Sequence, residues 1–537
     1  MASLADSLPD DVDALRAIAL ATIAERDTAI AEREAERAEK EKIRAERDAA
    51  IALNDRLRHL LHKANDALYG SKSERLAKLP SDQLHLALED IEQAIAKNEA
   101  VAEKQVPDAP RTRRKANRGS LPGHLPRLHE TITPEDTNCP CCRASMHVIG
   151  EETSERLDVI PAQFRVTVTH RPKYACRACE KIVEAAAPEH LIKSGIPTAA
   201  MVAHVLVAKY GWHLPLYRQA QMFLAQGIEL DRSTLAFWVG YAAAELLPLH
   251  ERMRTILLGS AKLAVDETPV PVLDPGRGRT KTGYFWTMAR DDRPWGGSDP
   301  PCVVYSYAPG RGSVHATTLL ADYHGIVQCD GYRAYKKLNR NRIVLAFCWA
   351  HLRRRFNDIA KKGNAPLASE ALVRIAEFYK IEETVRGRSA EERRVVRQQK
   401  SKPQVMAFRD WLETQLSKVS AKSPIAEAIR YGLNHWDGLV RFLDDGRIEL
   451  DTNIVERSMR PVALTRKNAL FAGHDDGAEN WACIASLIET CKLQGVDSQA
   501  YLADVLVRLV NLWPNNRLDE LLPWAWAEAR RPKQPAA

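Results

Sequence analysis

The order of strand-like segments between Lys262 and His351 limits the fold of this chain more than any other feature. KLAVDETPVPVLD, YFWTMARD and PCVVYSYAP follow in succession, the first two joined by the Gly-rich basic turn GRGRTKTG. GIVQCD and RIVLAFCWAH come only after a helix-like stretch around HATTLLADY. Short apolar runs of this kind are the mark of buried strands. Three in sequence, then others interrupted by helix, specify a mixed sheet with helices packed on it.

That is the order of a ribonuclease H-like core. In such a sheet a carboxylate on the first strand faces one at the end of the fourth, which singles out Asp266 in AKLAVDET and Asp330 in GIVQCDGYRAY, 64 residues apart. Alternation sends Asp266 and its neighbour Glu267 to opposite faces, and spacing does not choose between them. Asp330 also fits plain turn chemistry, since Asp-Gly is ordinary at a strand end. A third acid, Glu456 in DTNIVERSMR, lies a further 126 residues on. A compact sheet does not need that distance, so a helical insertion over roughly 365–443 interrupts the core. Beyond it, Asn453, Glu456 and Arg460 share one face of a helix capped by Asp451 or Thr452, a spacing that also describes a solvated helix face. Dispersed carboxylates are the hard oxygen donors that Mg²⁺ or Mn²⁺ takes. Two such ions about 3.5 to 4 Å apart would stabilise both the attacking and the leaving oxygen of an in-line displacement at phosphorus.

Upstream of the sheet the chain changes character several times. Glu25 to Asp48 is dominated by Glu, Arg, Lys, Asp and Ala, without Gly or Pro, and carries i,i+4 pairs such as Glu36 and Lys40, as a long solvated helix would. Ala50, Leu53, Leu57, Leu60, Ala64 and Ala67 then repeat at spacings of three and four. This seam suits a short coiled coil or one amphipathic helix packed on the body. From Val101 to Pro126 the chain turns to Pro and basic residues, with Arg111, Arg113, Arg114, Lys115 and Arg118 in RTRRKANRG: a linker able to follow phosphates, or a solubilising tail. Cys139 and Cys142 form one C-x-x-C and Cys176 and Cys179 a second, with 33 residues between them that include the alternating FRVTVTHRPKY. Two such knuckles joined through a β-hairpin make a closed thiolate site for structural Zn²⁺. Cys141 is a competing ligand, and a redox C-x-x-C is the rival reading. After Pro197, a helix ending near Gly227 and a second from Thr234, with Asp231 or Ser233 as N-cap, look like a helix-turn-helix, a spacing that many helical hairpins share without touching DNA.

The charge pattern points to a partner. Lys+Arg number 77 against 70 Asp+Glu, a small excess that comes in blocks. Lys336 to Lys362 holds nine Lys or Arg, among them Lys336, Lys337, Arg353, Arg354 and Arg355, against the single acid Asp358. Arg457, Arg460, Arg466 and Lys467 follow Glu456 with no acid between. Positive charge beside both later carboxylates suits a phosphate polymer, and DNA is the expected partner. Cys348 and His351 form a C-x-x-H in CWAH, read as a buried thiol and a capping or substrate-facing imidazole. No apolar run approaches the roughly 18 residues of a membrane span, and the N-terminus lacks the order of a signal peptide. Five of the ten cysteines crowd into one segment, unlike a disulfide framework. The expected location is cytoplasmic and nucleoid-associated.

The strings VDET, QCDGYRAY, CWAHLRRRF and DTNIVERSMRP, with KNALFAGHDDGAENWA downstream, closely resemble the transposases of the insertion sequence 66 family, TnpC type, in the DDE transposase superfamily. The resemblance extends to LYGSKSERL, to RPKYACRACE, to KYGWHLPLYRQ with STLAFWV, and to LIETCKLQGVD and DELLPWAW, and it covers nearly the whole chain. It implies a DDE-type DNA transposase with Asp266, Asp330 and Glu456 where the triad stands, using two Mg²⁺ or Mn²⁺ ions per active site. Such an enzyme binds terminal inverted repeats and cuts the 3′ strand at each element end. The freed 3′-hydroxyl is then joined to target DNA without a covalent protein intermediate. Pairing two DNA ends calls for an assembly of at least two copies, for which the leucine seam offers a means, and the resemblance further implies small accessory transposition proteins.

The expected organisation is multidomain α/β. A long helix or coiled coil over 1–100 and a basic Pro-rich linker over 101–135 precede a zinc-binding β module over 136–190 and a helix-turn-helix-like region over 191–258. The ribonuclease H-like core occupies 259–362 and 449–490, split by a helical insertion over 363–448, and a helical region over 491–537 ends the chain. Two other readings stay open: a DNA-binding regulator with a decayed core, and a host nuclease or recombinase on the same scaffold.

Overall fold

Helix α1 (Val12–Tyr69) runs 58 residues, because neither Gly nor Pro interrupts it and pairs such as Lys40 with Glu36, at 3.3 Å, line its surface. The structure is a computed structural model that describes residues 11–69, 141, 143–144, 163–175, 182–185, 189–192, 195–274, 279–338 and 342–531. The side chains of the Ala50–Ala67 seam, the basic residues Arg111, Arg113, Arg114, Lys115 and Arg118, and Cys139, Cys142, Cys176 and Cys179 all lie outside the described residues.

The chain divides into two units, 1–167 and 168–537. The second opens with β1 (Lys173–Ala175) paired antiparallel with β2 (Ile182–Glu184), strands that flank Cys176 and Cys179 in sequence. The strand expected along FRVTVTHRPKY forms only at its end. Val166 and Val168 are 88% and 67% exposed, and alternation without a face to bury does not hold a strand.

Three helices follow: α2 (Ala199–Leu206), continued by a π turn, α3 (Leu216–Leu224) and α4 (Arg232–Leu258). Gly227, at φ +75°, turns the chain between α3 and α4, and Asp231 takes the N-cap position. Helix α4 therefore starts two residues before Thr234. It continues for 27 residues because Trp238, Ala242, Leu246, Leu249, Met253 and Leu257 form a buried stripe down its length.

Five strands then build one sheet: β3 (Lys262–Asp274), β4 (Arg279–Arg290), β5 (Cys302–Ala308), β6 (Gly325–Cys329) and β7 (Ile343–Phe347). Their order is β5-β4-β3-β6-β7, antiparallel through β3, β4 and β5 and parallel through β3, β6 and β7. Helix α5 (Ser313–Leu319) lies between β5 and β6 in the chain.

After β7 come α6 (Trp349–Ala360), α7 (Pro366–Val385), α8 (Ala390–Val396), α9 (Lys402–Lys418), α10 (Pro424–Asn434) and α11 (Trp436–Leu439). Their core gathers around Trp349, whose ring lies 5.1 Å from Phe378, 6.0 Å from Trp436, 6.2 Å from Phe408 and 6.3 Å from Phe442. Such aromatic contacts contribute about 0.5–1.5 kcal/mol each beyond the area they bury. Helix α12 (Asn453–Ala469) packs over β3 and β4, and α13 (Asp475–Gln494) along β5 and α4. Helices α14 (Ser498–Val510) and α15 (Pro523–Ala529) follow. Strand β5 is an edge, and α13 covers it: Val303 N–H donates to Thr490 Oγ1 at 3.1 Å and Tyr305 N–H to Ser486 Oγ at 2.9 Å. No helix among the described residues is long and apolar enough to cross a membrane.

Candidate active site

The register of the sheet separates the first two acids. Asp266 lies across from Thr287 and, beyond it, Tyr305; Glu267 lies across from Trp286 and Ser306. Adjacent rungs point to opposite sides. The Glu267 side chain is fully buried and neutralised: Arg311 donates to Oε1 at 2.6 Å and the Tyr335 hydroxyl to Oε2 at 2.6 Å. Tyr335 in turn meets Trp286 edge-on at 6.0 Å, so these groups share the Glu267 side. On the other side α12 packs, where the Tyr305 hydroxyl donates to the Ser458 carbonyl. Asp266 receives a hydrogen bond from the Glu267 amide at 2.8 Å and from no cation among the described residues. Burial, and after it the carboxylates of Glu267, Asp330 and Glu456, push its pKa up to about 8.

Asp330 leaves the end of β6 in a turn, its Oδ1 accepting the Tyr332 amide at 2.7 Å. The turn reading and the acid reading thus describe the same residue, since the turn fixes where the carboxylate sits. Gly331 follows at φ +82°, and a Cβ there would stand 2.7 Å from the His435 ring, so glycine is required twice over. The Tyr431 hydroxyl donates to the Asp330 carbonyl at 2.5 Å, and His435 Nε2 lies 3.2 Å from the Gly331 carbonyl. The helical stretch between the second and third acids therefore grips the second.

Gln328 joins the third. Its side-chain amide donates to the carbonyls of Glu449 at 2.6 Å and Asp451 at 3.1 Å, while the Trp349 amide donates to Leu450 at 2.8 Å. These bonds pin 449–451 against the ends of β6 and β7, and α12 begins at once. Thr452 is its N-cap residue, and Asp451 Oδ1 accepts the Asn453 amide at 3.1 Å, so both residues proposed as caps take part. One turn in, Glu456 is approached by Thr452 Oγ1 at 3.4 Å and Arg354 at 3.5 Å.

The C-x-x-H meets this acid. One ligand atom each of Cys348, His351 and Glu456 lie within 4.8 Å of one another, with His351 Nδ1 at 3.8 Å from Glu456 Oε1. Burial pushes the Cys348 thiol up to about 11 and lowers the His351 pKa. The imidazole faces a carboxylate rather than capping a helix.

The basic residues divide into two groups. Lys336 and Lys337 are exposed on a turn just after Asp330; Arg354 and Arg355 are exposed on α6, with Arg353 half-buried; Arg457, Arg460 and Lys467 are exposed on α12. Arg355 also lies 4.0 Å over the Tyr431 ring. Arg466 is half-buried and donates to the Pro269 carbonyl, tying α12 to β3, and burial lowers its pKa. Sequence reasoning passed over Arg311, Gln328, Tyr335 and Tyr431. Each acts on an acid through contacts between distant segments that no local pattern announces.

For a divalent cation the donor set fits. Asp266, Asp330 and Glu456 offer oxygen ligands, and Asp266, held largely protonated by its surroundings, has no cationic partner among the described residues.

Comparison with known proteins gives the family. Residues 194–480, more than half of the chain, match the family model for the transposase IS66 family. The chain belongs to the IS66 transposase family. Other IS66 models match in turn: the zinc-finger binding domain of transposase IS66 over 136–180, the IS66 C-terminal element over 486–524, and the transposase C of IS166 homeodomain over 56–129. The first of these spans both C-x-x-C pairs. Among relatives, the uncharacterized protein y4jD of Sinorhizobium fredii (strain NBRC 101917 / NGR234) is 45% identical over 474 residues, 86% of this chain and 92% of that one. The uncharacterized protein y4qI of the same strain is 41% identical over 526 residues, 96% of this chain and 97% of that one. An IS66 transposase acts on DNA, which is the partner that the basic blocks call for.

Proposed function

We propose that this IS66 transposase is a DDE enzyme with a ribonuclease H-like core, in which Asp266, Asp330 and Glu456 hold two divalent cations, Mg²⁺ or Mn²⁺, against a DNA phosphate. The observation that carries this reading is the condition of Asp266: half-buried, opposed by Asp330 and Glu456, and without a cationic partner among the described residues, while Glu267 beside it has Arg311. Strand order supports the core assignment, with Asp266 on the first strand and Asp330 at the end of the fourth. The proposed core occupies 259–362 and 449–490, with 363–448 inserted.

When bound, the cations supply charge stabilisation to both oxygens of an in-line displacement at phosphorus. The chain's own residues do the positioning. Gln328 and the Trp349 amide hold the approach to Glu456, Tyr431 and His435 hold the Asp330 turn, and Arg311 with Tyr335 keep Glu267 out of the way. Lys336, Lys337, Arg353, Arg354, Arg355, Arg457, Arg460 and Lys467 meet the DNA backbone around the acids, with Arg466 bracing α12 and Arg111, Arg113, Arg114 and Lys115 adding sequence-independent contacts. Structural Zn²⁺ is held by Cys139, Cys142, Cys176 and Cys179. The α3–α4 hairpin reads the terminal inverted repeats, and at least two copies pair the element ends.

Hydrolysis frees a 3′-hydroxyl at each end, and that hydroxyl attacks a target phosphodiester. Purified protein given end-containing DNA and Mg²⁺ is expected to release such ends, and Asp330→Asn to bind the same DNA without cutting it. Tight binding with no cutting under any divalent ion would make the protein a regulator. Cutting that ignores the end sequence would make it a general nuclease.

A further inference from the structure

We propose that Cys348, His351 and Glu456 form a second metal site, one for a borderline ion such as Zn²⁺, which competes with the hard cations for Glu456. The three ligand atoms already lie within 4.8 Å of one another, although they come from two separate segments of the chain. Cys348, 1% exposed, is the N-cap residue of α6, and His351 stands three positions on, so a single helix start presents both. Glu456 arrives on α12, whose entry segment is pinned to α6 by the Trp349 amide on the Leu450 carbonyl at 2.8 Å.

A second observation points to a ligand. His351 Nδ1 is buried and has no hydrogen-bond partner among the described residues, and it faces Glu456 Oε1 at 3.8 Å. Buried ring nitrogens are normally satisfied, and one left bare beside a thiol and a carboxylate has the surroundings of a metal ligand. Arg354 approaches the other oxygen of Glu456, Oε2, at 3.5 Å, which leaves Oε1 toward the imidazole and Thr452. A sulfur, a nitrogen and an oxygen with a fourth position open is a donor set that Zn²⁺ accepts and Mg²⁺ does not. The site itself needs no DNA chemistry. Its consequence, that zinc withdraws Glu456 from the Mg²⁺ set and stops cleavage, rests on the DDE reading above.

The test uses the full chain, loaded with Zn²⁺ and separately with Co²⁺, then freed of excess metal. Wild type is expected to retain one ion per chain more than either Cys348→Ser or His351→Gln, and to show additional thiolate-to-cobalt absorption that Cys348→Ser lacks. Melting curves identify a variant that fails to fold, and the His351 position, less deeply buried than Cys348, decides if Cys348→Ser does so. Equal metal content in wild type and a folded variant overturns the site. In Mg²⁺-dependent cleavage, the zinc concentration for half inhibition should rise more than about tenfold in His351→Gln, since loss of even an outer partner of a metal costs about that much. An extra ion with unshifted zinc sensitivity overturns the competition. If wild type takes up the extra ion and cuts no DNA, the DDE reading fails and the metal site stands.

Discussion

Two half-buried groups of acids in this chain are handled in opposite ways. Among the helices after β7, Arg393 and Arg397, 1% and 0% exposed, close on Glu382 at 3.2 and 2.7 Å, and Arg393 reaches Glu449 at 2.7 Å. Arg397 also donates to the carbonyls of Phe442 and Asp445 at 2.8 and 3.1 Å. Around β3, the end of β6 and the start of α12, Asp266, Asp330 and Glu456 share a neighbourhood in which, among the described residues, Arg354 at 3.5 Å from Glu456 is the guanidinium bonded to one of them. The first group is complete within the protein and holds helices together. The second is left with surplus negative charge, which is costly to fold and useful only if something positive arrives.

The contrast can be broken most directly at the acids. Asp330→Asn is expected to lower cleavage of end-containing DNA by at least about 100- to 1,000-fold, the loss typical of removing one group that stabilises developing charge, while gel-shift binding persists. A variant cutting at the parental rate would place Asp330 among ordinary turn residues.

Next in size is the paired group. Arg397→Met leaves Glu382 with Arg393 alone, takes the Arg397 donor from the Phe442 and Asp445 carbonyls, and should cost about 3–5 kcal/mol of stability in urea unfolding. A cost below about 1 kcal/mol would mean that the helices do not depend on this network.

The acids should also reveal themselves through pH. The Asp266 pKa is raised from 3.8 to about 8 in the folded state, so the folded protein binds the proton more tightly than the unfolded chain does. Metal-free protein therefore loses stability as pH rises from about 4 to 8, and Asp266→Asn removes that slope. Mg²⁺ should restore melting temperature at pH 8 in wild type and not in Asp266→Asn. A flat metal-free profile would show that the carboxylate is already neutralised.

The smallest effect belongs to the exposed lysines. Replacing Lys336 and Lys337 by Ala should weaken DNA binding evenly across sequences and reduce the slope of log affinity against log salt by about 2, near one unit per lost phosphate contact. An unchanged slope would move the DNA path away from the Asp330 turn.

Much of the sheet was legible because each strand is a short apolar run and the order of helical interruptions is itself a topological constraint. Helix α1 was legible from the absence of Gly and Pro. The different surroundings of Asp266 and Glu267 were not, since they depend on Arg311 and Tyr335, 44 and 68 residues from Glu267, which bond that acid and not its neighbour. The bond from Gln328 to the start of α12 spans more than 120 residues and has no local signature. FRVTVTHRPKY misled for the converse reason: its alternation is real, yet Val166 and Val168 bury against no surface among the described residues. The length of α4 followed from packing on α13, and Arg466, grouped by charge with its basic neighbours, serves the backbone of β3.

The hydroxyls of Ser486 and Thr490, seated on the outermost strand, carry a consequence for assembly. Any strand arriving from another chain would first have to evict them, so zippering along that rim is closed to it. The proposed pairing of two copies around DNA ends would have to find its grip elsewhere on the molecule.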